Sequence, residues 1–215
     1  MKKYAIYASG KCTRIKKAIE AYPYYSKQIG FIIVDEKEDL ELKEWFEKRK
    51  IKYYSFDLNL LPKTEDRNLI LSDFICDKLQ DEMVDYCLSF GRHILKGNLL
   101  SKFEYRLINF HPGIIPEVTG LHAIDKAIFE KKRYIGNTVH FIDSGIDSGP
   151  IIMQNLILAE NFDKYGYDLY LDAQIELIDK TIKLLDAERI IVKDGKVRIK
   201  EANYTISQIY PKFEV

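Results

Sequence analysis

Several things are scarce in this sequence, and each scarcity excludes something. No apolar run approaches the ~18 residues that a membrane-spanning helix needs. Only three of 215 residues are cysteine, namely Cys12, Cys76 and Cys87, and no two form a C-x-x-C pair. An odd cysteine count, without a secretory pattern at the start, argues against a disulfide scaffold and sets the expectation of a reducing cytoplasm. Charge of one sign is also missing: Lys+Arg is 33 and Asp+Glu is 33, so the formal balance is 33 − 33 = 0. A nucleic-acid partner, which favours a basic face, is therefore not expected. No His/Cys cluster has ligand spacing, so no metal is expected.

What is present is a full complement of apolar residues, 47% of the chain, enough for one α/β domain. Tyr4 to Ala8 reads as a strand, followed by a Ser9-Gly10 turn and a helical pattern through Ile15, Ala18 and Ile19. Further strands are expected at Ile29 to Val34, near Tyr53 to Phe56, at Met83 to Phe90 and at Leu107 to His111, with a charged amphipathic helix over Leu40 to Lys50. Strand and helix in alternation imply crossover connections, hence an open, mostly parallel, doubly wound Rossmann-like sheet of the α/β class. Ligands of such a sheet bind beyond the carboxyl ends of its strands. Beyond residue 135 the pattern changes to strands at Asn137 to Ile142 and Pro150 to Leu158, then a long helix over Tyr167 to Ala187. In I-I-V-K-D-G-K-V-R-I, Asp-Gly stands between two alternating runs and predicts a β-hairpin. The division expected is a catalytic domain over 1–187 and a C-terminal hairpin extension over 188–215, packed on the same domain. Cys87, in an apolar strand, reads as a plain buried thiol.

Two motifs carry chemistry. In N-F-H-P-G-I-I-P, residues 109–116, Asn109 and His111 are two apart on a strand and so face the same side, while Phe110 turns into packing. Pro112 lacks a backbone donor and ends the strand, leaving both polar groups at its carboxyl end. In D-S-G-I-D-S-G-P, residues 143–150, glycines flank Asp147 just before another strand. The separation of Asp147 from Asn109 is 147 − 109 = 38 residues. Taken singly, each motif is also readable as an ordinary polar turn.

Together, N-F-H-P-G-I-I-P and G-N-T-V-H-F-I-D-S-G-I-D-S-G-P-I-I resemble the folate-dependent formyltransferases of the glycinamide-ribonucleotide transformylase fold. The likeness is strong from about Val84 to Gln154 and weaker before it. It implies that Asn109, His111 and Asp147 form the catalytic trio, and that 10-formyl-tetrahydrofolate is the co-substrate, with no metal. These side chains suit an amine attacking a formyl carbon. Asn109 and a protonated His111 donate to the developing oxyanion. Asp147 favours the imidazolium or accepts the amine's proton. By the same resemblance the folate lies against Leu88, Phe90, Gly91, Arg92, His93 and Leu95, closed by Asp143 and Ser144. The amine substrate is expected near Ser9, Gly10, Lys11, His122 at a helix start, and His140 in a strand.

A small-molecule amine is the expected acceptor, and by the resemblance three kinds of acceptor compete. Methionyl-tRNA formyltransferases carry a further C-terminal domain, whereas only 215 − 187 = 28 residues follow Ala187 here. The ribonucleotide transformylases carry a Gly-rich S-G-x-G-S-N-like phosphate loop, and this chain has A-S-G-K-C-T-R at 8–14, where Lys11 and Arg14 remain to meet a phosphate. Amino-sugar N-formyltransferases, acting on nucleotide-linked sugars, are similar in the segment I-K-E-A-N-Y-T-I-S-Q-I-Y-P, and 15 tyrosines offer stacking surfaces. The reading taken from sequence is therefore a nucleotide-sugar amine, with the purine-pathway ribonucleotide as the alternative and a tRNA acceptor after it. A non-catalytic folate-binding relative and a formate-releasing hydrolase are other classes. A homodimer is compatible with any of them.

Overall fold

Seven short apolar stretches pair edge to edge in a computed structural model that describes residues 1–63 and 66–205. The strands are β1 (Tyr4–Ala8), β2 (Ile29–Val34), β3 (Lys52–Ser55), β4 (Tyr86–Phe90), β5 (Leu107–His111), β6 (Tyr134–Phe141) and β7 (Ile151–Leu158). They lie in the order β3-β2-β1-β4-β5-β6-β7. The first five run parallel, and β6 and β7 are antiparallel to their neighbours. The chain winds outward from β1 to β3, then restarts at β4 on the other side of β1. That reversal between β1 and β4 is the switch point where doubly wound sheets open a crevice.

Both faces of the sheet are covered, so its central strands are apolar on both sides. Tyr4, Ile6 and Ala8 of β1 pack with Ile108 and Phe110 of β5 beneath α1 (Thr13–Ala21), α2 (Leu40–Glu47) and α6 (Ala159–Asp186). Ala5 and Tyr7 face the opposite way, with Cys87 and Leu107, beneath α3 (Arg67–Asp81) and α4 (Asn98–Lys102). A further helix, α5 (Ala123–Phe129), packs with the antiparallel end of the sheet. Cys87 is buried, and burial pushes its thiol up to about 12, which suits an inert core residue.

The differences from the sequence reading have local causes. Helix α3 is absent from that reading although Leu71, Ile75 and Leu79 recur every four residues on its buried face. Strand β4 starts at Tyr86 rather than Met83, because Met83 sits at φ 49 in the turn that ends α3. Helix α6 starts eight residues early, at Ala159, and is broken at Gly166 (φ 67, ψ −160), just before the expected start at Tyr167. The expected hairpin is present as β8 (Ile190–Lys193) and β9 (Lys196–Ile199), turning through Asp194 (φ 50) and Gly195 (φ 68). Its Ile190, Val192 and Val197 pack on the core beneath α6. The rest of the extension, from residue 206 on, lies outside the described residues, and with it half of the segment that suggested a sugar substrate. No helix among the described residues is long and apolar enough to cross a membrane.

Candidate active site

Strand alternation places Asn109 and His111 on one face of β5, and Phe110 on the other, where its ring stacks on Phe90 at 4.6 Å between centroids. Strand β6 pairs Asn109 with His140, so that histidine joins the same face. The β6–β7 connection folds back over this face and delivers Asp147, at φ 51, a conformation that aspartate adopts more readily than most residues. Its Oδ2 lies 3.2 Å from His111 Nδ1 and accepts from the Gly120 N–H at 2.7 Å. Asn109 Nδ2 lies 3.2 Å from His140 Nε2. Four side chains from three segments of the sequence, Asn109 and His111 of β5, His140 of β6 and Asp147 of the β6–β7 connection, thus converge at the carboxyl end of β5.

The second ring nitrogen of His111, Nε2, donates to the Val118 carbonyl at 2.9 Å. The loop leading to that carbonyl is held by a network at Gly113 and Ile115. Thr138 Oγ1 donates to the Gly113 carbonyl at 2.7 Å and accepts from the Ile115 N–H at 3.1 Å, while Gln154 Nε2 donates to both Thr138 Oγ1 and the Ile115 carbonyl. The loop passes so close to the ring that a Cβ on Gly113 would fall 2.7 Å from His111 Nε2 and 2.7 Å from the Val118 oxygen. Here glycine is a steric requirement.

The electrostatics balance two opposed tendencies. Burial pushes the His111 pKa below the ordinary imidazole value and outweighs the upward pull of the Asp147 carboxylate and the Val118 carbonyl. Burial also pushes the Asp147 carboxyl up, yet His140, the Gly120 N–H and His111 together bring it below the ordinary carboxylate value.

A cleft of about 530 Å³ opens over these groups, lined by the ends of β1, β4 and β5 and by the β6–β7 loop. That volume is in the range of sites for small organic ligands. One wall is polar, with Asn109, His111 and Asp147. At the mouth Ile94, Leu121 and Ile146 are exposed and apolar, 40%, 61% and 60% accessible, which suits a flat, partly apolar ligand.

Comparison with known proteins gives this geometry a context. The formyl transferase family, described as "Formyl transferase", matches residues 2–166. The chain belongs to that family. A phosphoribosylglycinamide formyltransferase of Bacillus subtilis (strain 168) is 27% identical over 165 residues, 76% of this chain and 83% of that protein. One from Haemophilus influenzae is 30% identical over 158 residues, 72% of each chain. A formyltetrahydrofolate deformylase of Haemophilus influenzae is 26% identical over 160 residues, 72% of this chain but 55% of that protein. Among solved structures, glycinamide ribonucleotide transformylase 1 from Symbiobacterium toebii superposes with a TM-score of 0.77 at 24% identity, covering 93% of this chain and 94% of that one.

Within this formyl transferase, the remaining expected residues divide. Phe90, Gly91, Arg92, His93, Leu95, Asp143, Ser9, His122 and His140 all line the cleft. Leu88 does not: it is 1% exposed, and its side chain points into the core beneath α6. Its neighbour Ser89, register partner of Asn109, lines the cleft instead. Ser144 is outside the lining because Asp143 Oδ1 accepts from the Gly145 N–H and Ser148 Oγ, turning the loop so that Ser144 faces solvent. Gly10 and Lys11 are also outside it. Gly10, at φ 72, swings the chain away and leaves Lys11 exposed. Arg14, one helical step further, reaches the cleft, 6.0 Å over the Phe90 ring.

The two loops at the switch point are tied together behind the lining. Ser9 Oγ donates to Asp35 Oδ2 at 2.6 Å and accepts from the Arg92 N–H at 3.0 Å. Tyr7 donates to the same carboxylate oxygen at 2.7 Å, and a Cβ on Gly91 would fall 2.1 Å from its ring. Arg92 pairs with Glu36. Among the described residues no group of three or more His, Cys, Asp or Glu is arranged to hold a metal ion.

Proposed function

We propose that this formyl transferase moves a formyl group from 10-formyl-tetrahydrofolate to a primary amine, and that the amine belongs to a phosphoribosylated substrate of the glycinamide ribonucleotide kind. The observation that carries the transfer reading is the buried His111–Asp147 pair, 3.2 Å apart, beside the Asn109 amide. Bound in the cleft, the folate supplies a carbonyl carbon attached to nitrogen. Attack by the amine puts negative charge on the carbonyl oxygen. Asn109 has an N–H to donate to it, and the growing charge favours uptake of a proton from water by His111. Because both its ring nitrogens face acceptors, Asp147 and Val118, His111 acts by its charge and not, as expected from sequence, as a second donor to the oxyanion. The new C–N bond forms as the donor's C–N bond breaks, and one amine proton ends on the departing nitrogen. The apolar mouth at Ile94, Leu121 and Ile146 fits a pterin-sized ring system.

For the acceptor, the phosphoribosylglycinamide formyltransferases among the relatives favour a phosphoribosylated amine over the nucleotide-linked amino sugar expected from sequence. Helix α1 adds support. Its first turn has no acidic residue and no side-chain cap, so its N-terminus suits an anion, and Arg14 brings a cation to the cleft from the same turn. The test is incubation with 10-formyl-tetrahydrofolate and, separately, glycinamide ribonucleotide, a nucleotide-linked amino sugar, or no amine, followed by mass spectrometry. A formylated ribonucleotide is the expected product. A formylated sugar would restore the other acceptor, and formate released without any amine would identify a hydrolase like the deformylase relative.

A further inference from the structure

His140 belongs to the site by position, but the chemistry above gives it no task. It is 2% exposed, in the middle of the antiparallel pair β5–β6. Its Nδ1 lies 2.8 Å from the Phe141 carbonyl, and its Nε2 lies 3.2 Å from Asn109 Nδ2. A carbonyl oxygen only accepts, so Nδ1 carries a hydrogen. In the neutral ring Nε2 is then a bare acceptor, and only the amide end of Asn109 can face it. If Nε2 also carried a hydrogen, it would meet the Asn109 amide donor to donor. Asp147 Oδ1, at 3.7 Å, is too far from Nε2 to compensate with a hydrogen bond of its own. The Phe141 carbonyl therefore selects the tautomer of His140, and the tautomer selects the orientation of Asn109.

We propose that His140 is a positioning residue for transfer: held as the Nδ1–H tautomer by the Phe141 carbonyl, it fixes the Asn109 amide with its nitrogen toward His140. This rests on the formyl-transfer reading. One N–H of Asn109 is spent on His140, and the other is left to donate to the reacting oxygen. With the amide turned over, a carbonyl oxygen would stand in that place and repel an oxyanion. Because Asn109 makes no other side-chain hydrogen bond among the described residues, His140 alone decides between the two. Among the charged and titratable groups facing it, Asp147 comes from the β6–β7 loop and His111 from β5.

The experiment uses the full chain with ¹⁵N-labelled histidine and asparagine. Long-range ¹H–¹⁵N spectra near neutral pH report the tautomer of His140, assigned by its disappearance in His140→Phe. The expected result is Nδ1–H, together with an Asn109 side-chain resonance that shifts in His140→Phe. In kinetics, His140→Phe should lower kcat about 10- to 100-fold, the loss typical of a misplaced catalytic group, while KM for the formyl donor stays nearly constant. His140→Gln, whose amide can donate to Phe141 or accept from Asn109, should recover part of kcat. An Nε2–H tautomer, a doubly protonated ring, or an unchanged kcat in a folded His140→Phe overturns the proposal. Should His140→Phe fail to fold, the His140→Gln spectra and the wild-type tautomer still decide it. Should the wild-type protein transfer no formyl group at all, the transfer reading fails, whereas the hydrogen-bond order is judged by the spectra alone.

Discussion

Asp147→Asn removes one negative charge and little else. The new side chain has nearly the same shape, asparagine tolerates the φ of 51 as aspartate does, and its oxygen can keep the Gly120 N–H. What disappears is the field on His111. At 3.2 Å, a pair of unit charges interacts by about 1 kcal/mol in bulk water and about 5 kcal/mol at the effective dielectric of a protein site. Both side chains are mostly buried, 4% and 12% accessible, so the loss falls between those limits. A loss of about 2.7 kcal/mol in the transition state corresponds to about 10²-fold in rate, which is also the scale of a lost acid/base or electrostatic partner. We therefore expect turnover about 10²-fold lower, with the fold and folate binding retained and the His111 pKa lower still. His111→Asn should be at least as damaging, and the double variant no worse than the poorer single one, because the two residues act as one unit. Steady-state formyl transfer measured by mass spectrometry checks this. Turnover within about threefold of wild type for Asp147→Asn, or multiplicative losses in the double variant, would refute the pair.

Gly113→Ala should cost about 1–3 kcal/mol of stability and reduce turnover, because its Cβ would lie 2.7 Å from both His111 Nε2 and the Val118 oxygen. Chemical denaturation with parallel kinetics reads both effects. Arg14→Met should raise KM for a phosphorylated acceptor about 10-fold or more, the scale of a lost hydrogen bond to a charged group, and leave donor affinity unchanged. An unchanged KM would separate Arg14 from the acceptor. Stability should fall on acidification in two stages. Burial holds the His111 pKa below 6.5, so the unfolded chain takes up that proton first, and stability declines as pH drops from about 6.5 toward the folded value. Asp147 contributes fully above 3.8 and loses that contribution as pH falls through its lowered pKa. Melting temperatures across pH should show a shallower first stage in His111→Asn, and an identical slope would contradict the burial argument.

The strands, and the shared face of Asn109 and His111, were legible because both rest on period-2 alternation, while Asp147 comes from the β6–β7 loop. Asn109 and His111 share a face whatever surrounds them, and Pro112 ends the strand by its own chemistry. Leu88 faces the core for the same reason that Asn109 and His111 share the cleft face. The register aligns Ser89, not Leu88, with Asn109, and a shift of one residue exchanges core for cleft. A lone serine near the end of the apolar run Y-C-L-S-F was the available signal. Arg14 was legible as a cation beside the Gly10 turn, but that Arg14 and not Lys11 lines the cleft depends on how α1 follows that turn, a tertiary relation. Leu121 and Ile146 read as loop residues, and only the folded chain shows that both stand at one mouth. Helix α3 was readable from Leu71, Ile75 and Leu79. The acceptor was not, because its recognition depends on which loop residues reach the cleft, and the loop that suggested a departure from the ribonucleotide enzymes still presents Arg14.

The burial of His111 explains why such a site rewards charge development. Each of its ring nitrogens faces an acceptor, Asp147 on one side and the Val118 carbonyl on the other, so only the doubly protonated ring satisfies both. Burial opposes that form and wins on balance. The neutral ring then leaves a lone pair against an acceptor, an arrangement that is tolerable but not optimal. A negative charge forming on a nearby carbonyl oxygen supplies what the ring lacks. It offsets the cost of burying the imidazolium: the ring takes a proton from water and returns it when the charge collapses, its two N–H groups serve Asp147 and Val118, and its positive charge, rather than a hydrogen bond, stabilises the oxyanion. The interaction is thus stronger with the transition state than with the ground state, which is the condition for a binding contact to accelerate a reaction. A histidine held charged beforehand by a closer carboxylate would have much of that energy already in place, and less would be left for the step that needs it.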